Sequence, residues 1–169
     1  MATKRSNSKL AVCILSPHPL VLSEFERLLA KSQFKVILKQ LESTLAPDLR
    51  TLDPPKANVY VVDAHAARPA TGALLTNLLE RCPESRLMVV GEQHSDQNSF
   101  SMLRLGVKGL LTYVEARDQL VRALPLVAAG GFWVQGAPSD GILHVQVALK
   151  CVGRAPSPHT GWLTGQILL

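Results

Sequence analysis

The amino-acid sequence predicts an α/β fold, a five-stranded parallel sheet with helices on both faces. Three observations predict it. Five short apolar runs alternate along the chain with stretches whose apolar residues recur at helical spacing. Most of these runs are continuously apolar, as strands buried on both faces must be. Of the 169 residues, 47% are hydrophobic and 18% charged, enough for one domain with a buried core.

The elements follow in order. Leu10 to Leu15 is an apolar strand closed by Ser16-Pro17. Pro19 suits a first helical turn, and Leu20, Leu22, Phe25, Leu28 and Leu29 repeat at helical spacing to about Ala30. Phe34 to Leu38 reads as a second strand, and a weaker helical stretch from Leu41 to Leu52 meets the break Asp53-Pro54-Pro55. Asn58 to Val62, rich in β-branched and aromatic residues, is the central strand and delivers Asp63 at its end. A helix over Ala73 to Arg81 stops at Cys82-Pro83. Arg86 to Val90 is the fourth strand, ending at Gly91-Glu92. Gln97 to Leu105 is helical until Gly106, Lys108 to Thr112 is the fifth strand, and Glu115 to Ala129 is a last helix terminated by Gly130-Gly131. Pro125, inside that helix, should bend it or break its hydrogen-bond ladder.

Parallel neighbours require right-handed crossovers, and ligands of such sheets bind at the carboxyl ends of the strands. The residues at or just beyond those ends are Ser16, Pro17, Asp63, Gly91 and Tyr113. From Ala137 onward Pro138, Pro156 and Pro158 interrupt the pattern, which reads as a linker with one short helical turn near Leu143 to Leu149.

Composition excludes several classes. The net charge is +5, but Lys4, Arg5 and Lys9 precede the folded region, and residues 10 to 136 hold 13 basic and 12 acidic side chains. The folded core is therefore not a basic nucleic-acid surface. No run approaches a membrane span and the polar start lacks the pattern of a signal peptide, so a cytoplasmic protein is expected. Cys13, Cys82 and Cys151 are widely spaced, without metal-site spacing, and read as free thiols. Neither a glycine-rich phosphate loop nor a nucleophile-base pair is present to suggest an enzyme.

The stretch from Leu105 to Val134 resembles the end of the receiver domain in response regulators with a LuxR-type helix-turn-helix output. Gly106, Gly109 and Leu111 match that family's turn into strand five, and Ala129-Gly130-Gly131 matches the close of its last helix. Ile14 to Leu22 resembles its Asp-Asp-His-Pro segment, with His18-Pro19 retained. The resemblance covers about Leu10 to Val134 and implies a flavodoxin-like (βα)5 receiver domain. It implies four segments: a basic tail over 1–9, a receiver-like domain over 10–136, a linker over 137–160, and over 161–169 the start of a helix-turn-helix domain without its remainder. No DNA reading is expected of this chain.

In that family two acidic residues after strand one, with an aspartate ending strand three, hold magnesium. The aspartate accepts phosphate, and a hydroxyl residue after strand four and a lysine after strand five grip the phosphoryl group. By this resemblance Asp63 occupies the acceptor position. The acid pair is replaced by Ser16 and Pro17, the hydroxyl residue by Gly91, and the lysine by the neutral Tyr113. Leu110 stands at the position of the aromatic switch residue. Pro69 and Gly72 come six and nine residues after Asp63, later than the family's Pro and Gly, so that loop is expected to run differently.

Three readings of Asp63 stay open: phosphoacceptor, structural carboxylate, or relic. His65 beside Asp63 makes no metal site by itself, and His18, His94, His144 and His159 show no pattern. The resemblance thus implies a degenerate receiver without enzyme activity or cofactor, magnesium included. It would act in signal transduction and transcription control by homodimerisation or contact with a partner regulator, through its fourth or fifth helix. The alternative is a conventional two-component receiver phosphorylated on Asp63 by a sensor kinase.

Overall fold

The structure, a computed structural model, describes residues 9–41, 53–64 and 68–134. It contains β1 (Ala11–Ser16), α1 (Pro19–Leu29), β2 (Lys35–Gln40), β3 (Val59–Asp63), α2 (Arg68–Arg81), β4 (Arg86–Gly91), α3 (Asp96–Leu105), β5 (Gly109–Thr112), α4 (Tyr113–Ala128) and β6 (Trp133–Val134). The helix expected over Leu41 to Leu52 falls almost wholly outside the described residues, as do the basic tail, His65, Cys151, the linker and the segment 161–169. The fourth and fifth helices of the sequence reading are α3 and α4.

The strands form one parallel sheet in the order β2-β1-β3-β4-β5-β6. Six strands stand where the sequence predicts five. The sixth has two residues, too few to register as an apolar run, and pairs Trp133 with Gly109 and Val134 with Leu110.

Alternate residues of each strand face opposite layers, and the two cores follow that period. Val12, Ile14, Val59, Val61, Met88, Val90 and Leu111 pack against α1 and α4, whose buried faces include Phe25 and Leu120. Cys13, Leu15, Tyr60, Val62, Leu87, Val89 and Leu110 pack against α2 and α3 through Leu75, Leu78 and Met102. Burial pushes the Cys13 thiol up to about 12, so Cys13 behaves as a small apolar core residue.

Helix ends are set by local chemistry. Ser95 caps α3 by accepting a bond from the Asn98 N–H. At the other end Gly106, at φ 105°, supplies the left-handed residue that only glycine adopts cheaply. Helix α2 begins five residues earlier than its apolar spacing indicates. Pro69 and Gly72 lie within α2 rather than in a loop, as proline in a first helical turn lacks only an N–H that would be orphaned there. Pro125 does not end α4, which continues to Ala128. It sits on the exposed side of the helix. Among the described residues no helix is long and apolar enough to cross a membrane.

Candidate functional site

Because all the strands are parallel, their carboxyl ends gather on one edge of the sheet. The register aligns Leu15 with Val62, Asp63 with Val90, and Gly91 with Thr112. This brings Ser16, Asp63, Gly91 and Tyr113 to that edge. The chain leaves β5 directly into α4: Thr112 is the N-cap, its hydroxyl accepting from the Glu115 N–H at 3.2 Å while its own N–H donates to the Glu115 carboxylate at 2.8 Å. That capping box makes Tyr113 the first residue of α4 and fixes where its ring points.

Asp63 is the centre of the site. Its side chain is buried, at 3% exposure, and the Ser16 Oγ donates to Asp63 Oδ2 at 2.6 Å. The Tyr113 phenol donates to the other carboxylate oxygen, Oδ1. Ser16 is fully buried and is oriented in turn by the His18 N–H, which donates to the same Oγ at 3.0 Å. Each carboxylate oxygen therefore carries a hydroxyl, one from the end of β1 and one from the start of α4. In the sequence Ser16 and Tyr113 read as losses of charge; in the structure they are donors to Asp63. Burial, the hydrogen bond to Asp63 and the charges of Asp63 and Glu92 raise the Tyr113 phenol above its ordinary range, keeping it protonated as a donor at neutral pH.

Gly91 lies beside this cluster and is filled from outside. A Cβ on Gly91 would come within 3.3 Å of His94 Cε1 and 3.6 Å of the Ala64 Cβ. His94 thus occupies the space into which a side chain at position 91 would project. Its Nε2 lies 2.9 Å from the Leu111 carbonyl, which can only accept, so Nε2 carries the proton. His94 belongs to no pattern in the sequence; its only signal is its place three residues after Gly91.

Pro17 follows Ser16 in the turn before α1 and supplies neither a carboxylate nor an N–H. Leu110 is not at this edge cluster: it is buried at 2% exposure in the layer under α2 and α3. The donors that converge are one carboxylate and two hydroxyls, and among the described residues no group of three or more His, Cys, Asp or Glu side chains could hold a metal ion.

No family model matches the sequence, and no curated protein matches it. Solved structures do. A LuxR-family two-component response regulator from Aurantimonas superposes with a TM-score of 0.64 at 15% identity, over 83% of this chain and 99% of that one. A CheY-like response regulator receiver domain protein from Methanospirillum hungatei gives 0.60 at 15% identity, over 73% of this chain and 96% of that one. The fold is that of a receiver domain. The RcsB response regulator of Salmonella typhimurium is also similar, with a TM-score of 0.62 at 17% identity over 87% of this chain and 79% of that one. At these identities the likeness concerns the receiver fold. The chemistry of the site rests on the residues described above.

Proposed function

We propose that this chain is an atypical receiver module of signal transduction and transcription control, in which a hydroxyl clamp on Asp63 replaces the phosphoryl switch. The observation that carries the proposal is that both oxygens of a carboxylate 3% exposed already accept hydroxyl protons, from Ser16 and Tyr113. A carboxylate that attacks phosphorus must present a lone pair to the donor and have the developing charge neutralised by a cation. Here each carboxylate oxygen already accepts one hydroxyl proton, and the lysine and acid-pair positions hold Tyr113, Ser16 and Pro17. Magnesium favours several oxygen ligands in near-octahedral array, so one hydrogen-bonded carboxylate beside a serine is a poor site for it.

Such a module regulates by contact, in the cytoplasm and without enzyme activity, with a second copy of itself or a partner regulator. Supporting this are the apolar side chains on the outer faces of α3 and α4, where Phe100 is 53% and Val114 76% exposed. The comparison with regulators of the LuxR and RcsB type motivates the transcriptional setting.

Light scattering tests this reading. The chain should show one association state, unchanged by acetyl phosphate and magnesium. A change of state on adding the phosphodonor, abolished by Asp63→Asn, would instead favour a conventional phosphoacceptor served by a sensor kinase.

A further inference from the structure

A groove of about 450 Å³ runs between α1 and α4. Val21, Phe25 and Leu28 contribute apolar lining, and Leu20, 85% exposed, also borders it. His18 and Tyr113 line it too, as do Glu24 and Arg117. The volume lies in the range of sites for small organic molecules, and an apolar lining with a few polar groups is their usual composition.

The charges choose the ligand. Glu24 is held by Arg27, whose Nη2 and Nε donate to its two oxygens at 2.8 and 2.9 Å. Arg117 reaches the same carboxylate only through Nε, at 3.8 Å, and its side chain is 68% exposed. Arg27 thus occupies both Glu24 oxygens, and Arg117, which meets Glu24 only at Nε, keeps a guanidinium fork whose planar donors match a carboxylate or sulfonate. We propose that this groove binds a small amphipathic monoanion, its apolar body on Val21, Phe25 and Leu28 and its anionic group on Arg117. Tyr113 belongs to both sites, since it lines the groove and its hydroxyl holds Asp63. An occupant would therefore touch the residue that closes the clamp. The inference adds a ligand to the module and stands whether or not Asp63 is ever phosphorylated.

The test uses the full chain and two fluorescent probes, anilinonaphthalene sulfonate and its uncharged counterpart phenylnaphthylamine. The sulfonate should bind saturably at one site. Arg117→Ala should weaken it about tenfold, as loss of one charge-assisted contact would, and leave the neutral probe within about twofold. Val21→Trp should fill the groove and weaken both probes. Leu20→Glu, at a position exposed enough to tolerate the change, should weaken the sulfonate more than the neutral probe. Sulfonate binding unchanged in Arg117→Ala and Leu20→Glu overturns the anion site, and binding of both probes unchanged in a folded Val21→Trp overturns the groove itself.

Discussion

The phenol of Tyr113 donates a hydrogen bond to the carboxylate of Asp63, across fifty residues of sequence and from the first turn of α4 to the end of β3. Together with the Ser16 hydroxyl on the other oxygen, it ties β1, β3 and α4 at one point. A buried carboxylate that loses such a donor keeps its desolvation cost without its compensation, so each hydroxyl should matter to stability.

Ser16→Ala should destabilise the protein by about 2 kcal/mol, because the serine is fully buried and also accepts the His18 N–H. Tyr113→Phe should cost about 1 to 2 kcal/mol, since Tyr113 is half-buried and its hydroxyl bonds Asp63. Urea unfolding of both variants and of the double mutant measures the coupling. Losses below about 0.5 kcal/mol in both single variants would show that the clamp contributes little to the fold.

Alkaline pH probes the same bond. The chain has two tyrosines, and both phenols are raised above their ordinary value of 10.0. For Tyr60 the main cause is burial, followed by its bond to Cys82; for Tyr113 it is burial, followed by its bond to Asp63. A raised folded pKa means that the native state keeps protons the unfolded chain releases near pH 10. This contribution to stability is present in full below about pH 10 and is lost as pH rises above it. The native protein should therefore show almost no phenolate absorbance at pH 10, with ionisation arriving together with alkaline unfolding. A tyrosine half-ionised at pH 10 in the folded state would contradict the geometry around it.

At position 91 the expectation is steric. Gly91→Ser places a Cβ 3.3 Å from the His94 ring, which must yield by a few tenths of an ångström, and should destabilise the protein by about 1 kcal/mol. In a His94→Ala background the same substitution should cost less than half as much. Thermal unfolding of the four proteins gives the interaction energy, and simple additivity would mean that His94 does not block this position.

Much of the fold is legible in the sequence because parallel strands buried on both faces are uninterrupted apolar runs. Leu10 to Leu15 and Asn58 to Val62 each lie within one residue of β1 and β3. The short strand at Trp133 carries no such run, and the start of α2 is hidden by Pro69 and Gly72, residues that punctuate loops more often than they open helices. The pattern of parallel strands, with their carboxyl ends on one edge, picks out which residues meet there. It does not tell what they do there. Ser16 and Tyr113 are readable as missing charges, whereas their role as donors depends on the capping box that aims Tyr113 and on the His18 N–H that turns Ser16. His94 escapes sequence reading because its place above Gly91 comes from the fold of the β4–α3 connection.

Magnesium should not bind the cluster with useful affinity. Following the backbone amide shifts of Ser16, Asp63 and Ala64 during a magnesium titration checks this, and saturable shifts at low millimolar metal would defeat the expectation.

Whether Asp63 accepts a phosphoryl group separates the hydroxyl clamp from a phosphoryl switch most directly. Intact-mass spectrometry of the chain after incubation with acetyl phosphate and magnesium measures this. The clamp predicts that the unmodified mass dominates, since both carboxylate oxygens are engaged and no ammonium group stands at position 113. A major species heavier by one phosphoryl group, absent from Asp63→Asn, would contradict it.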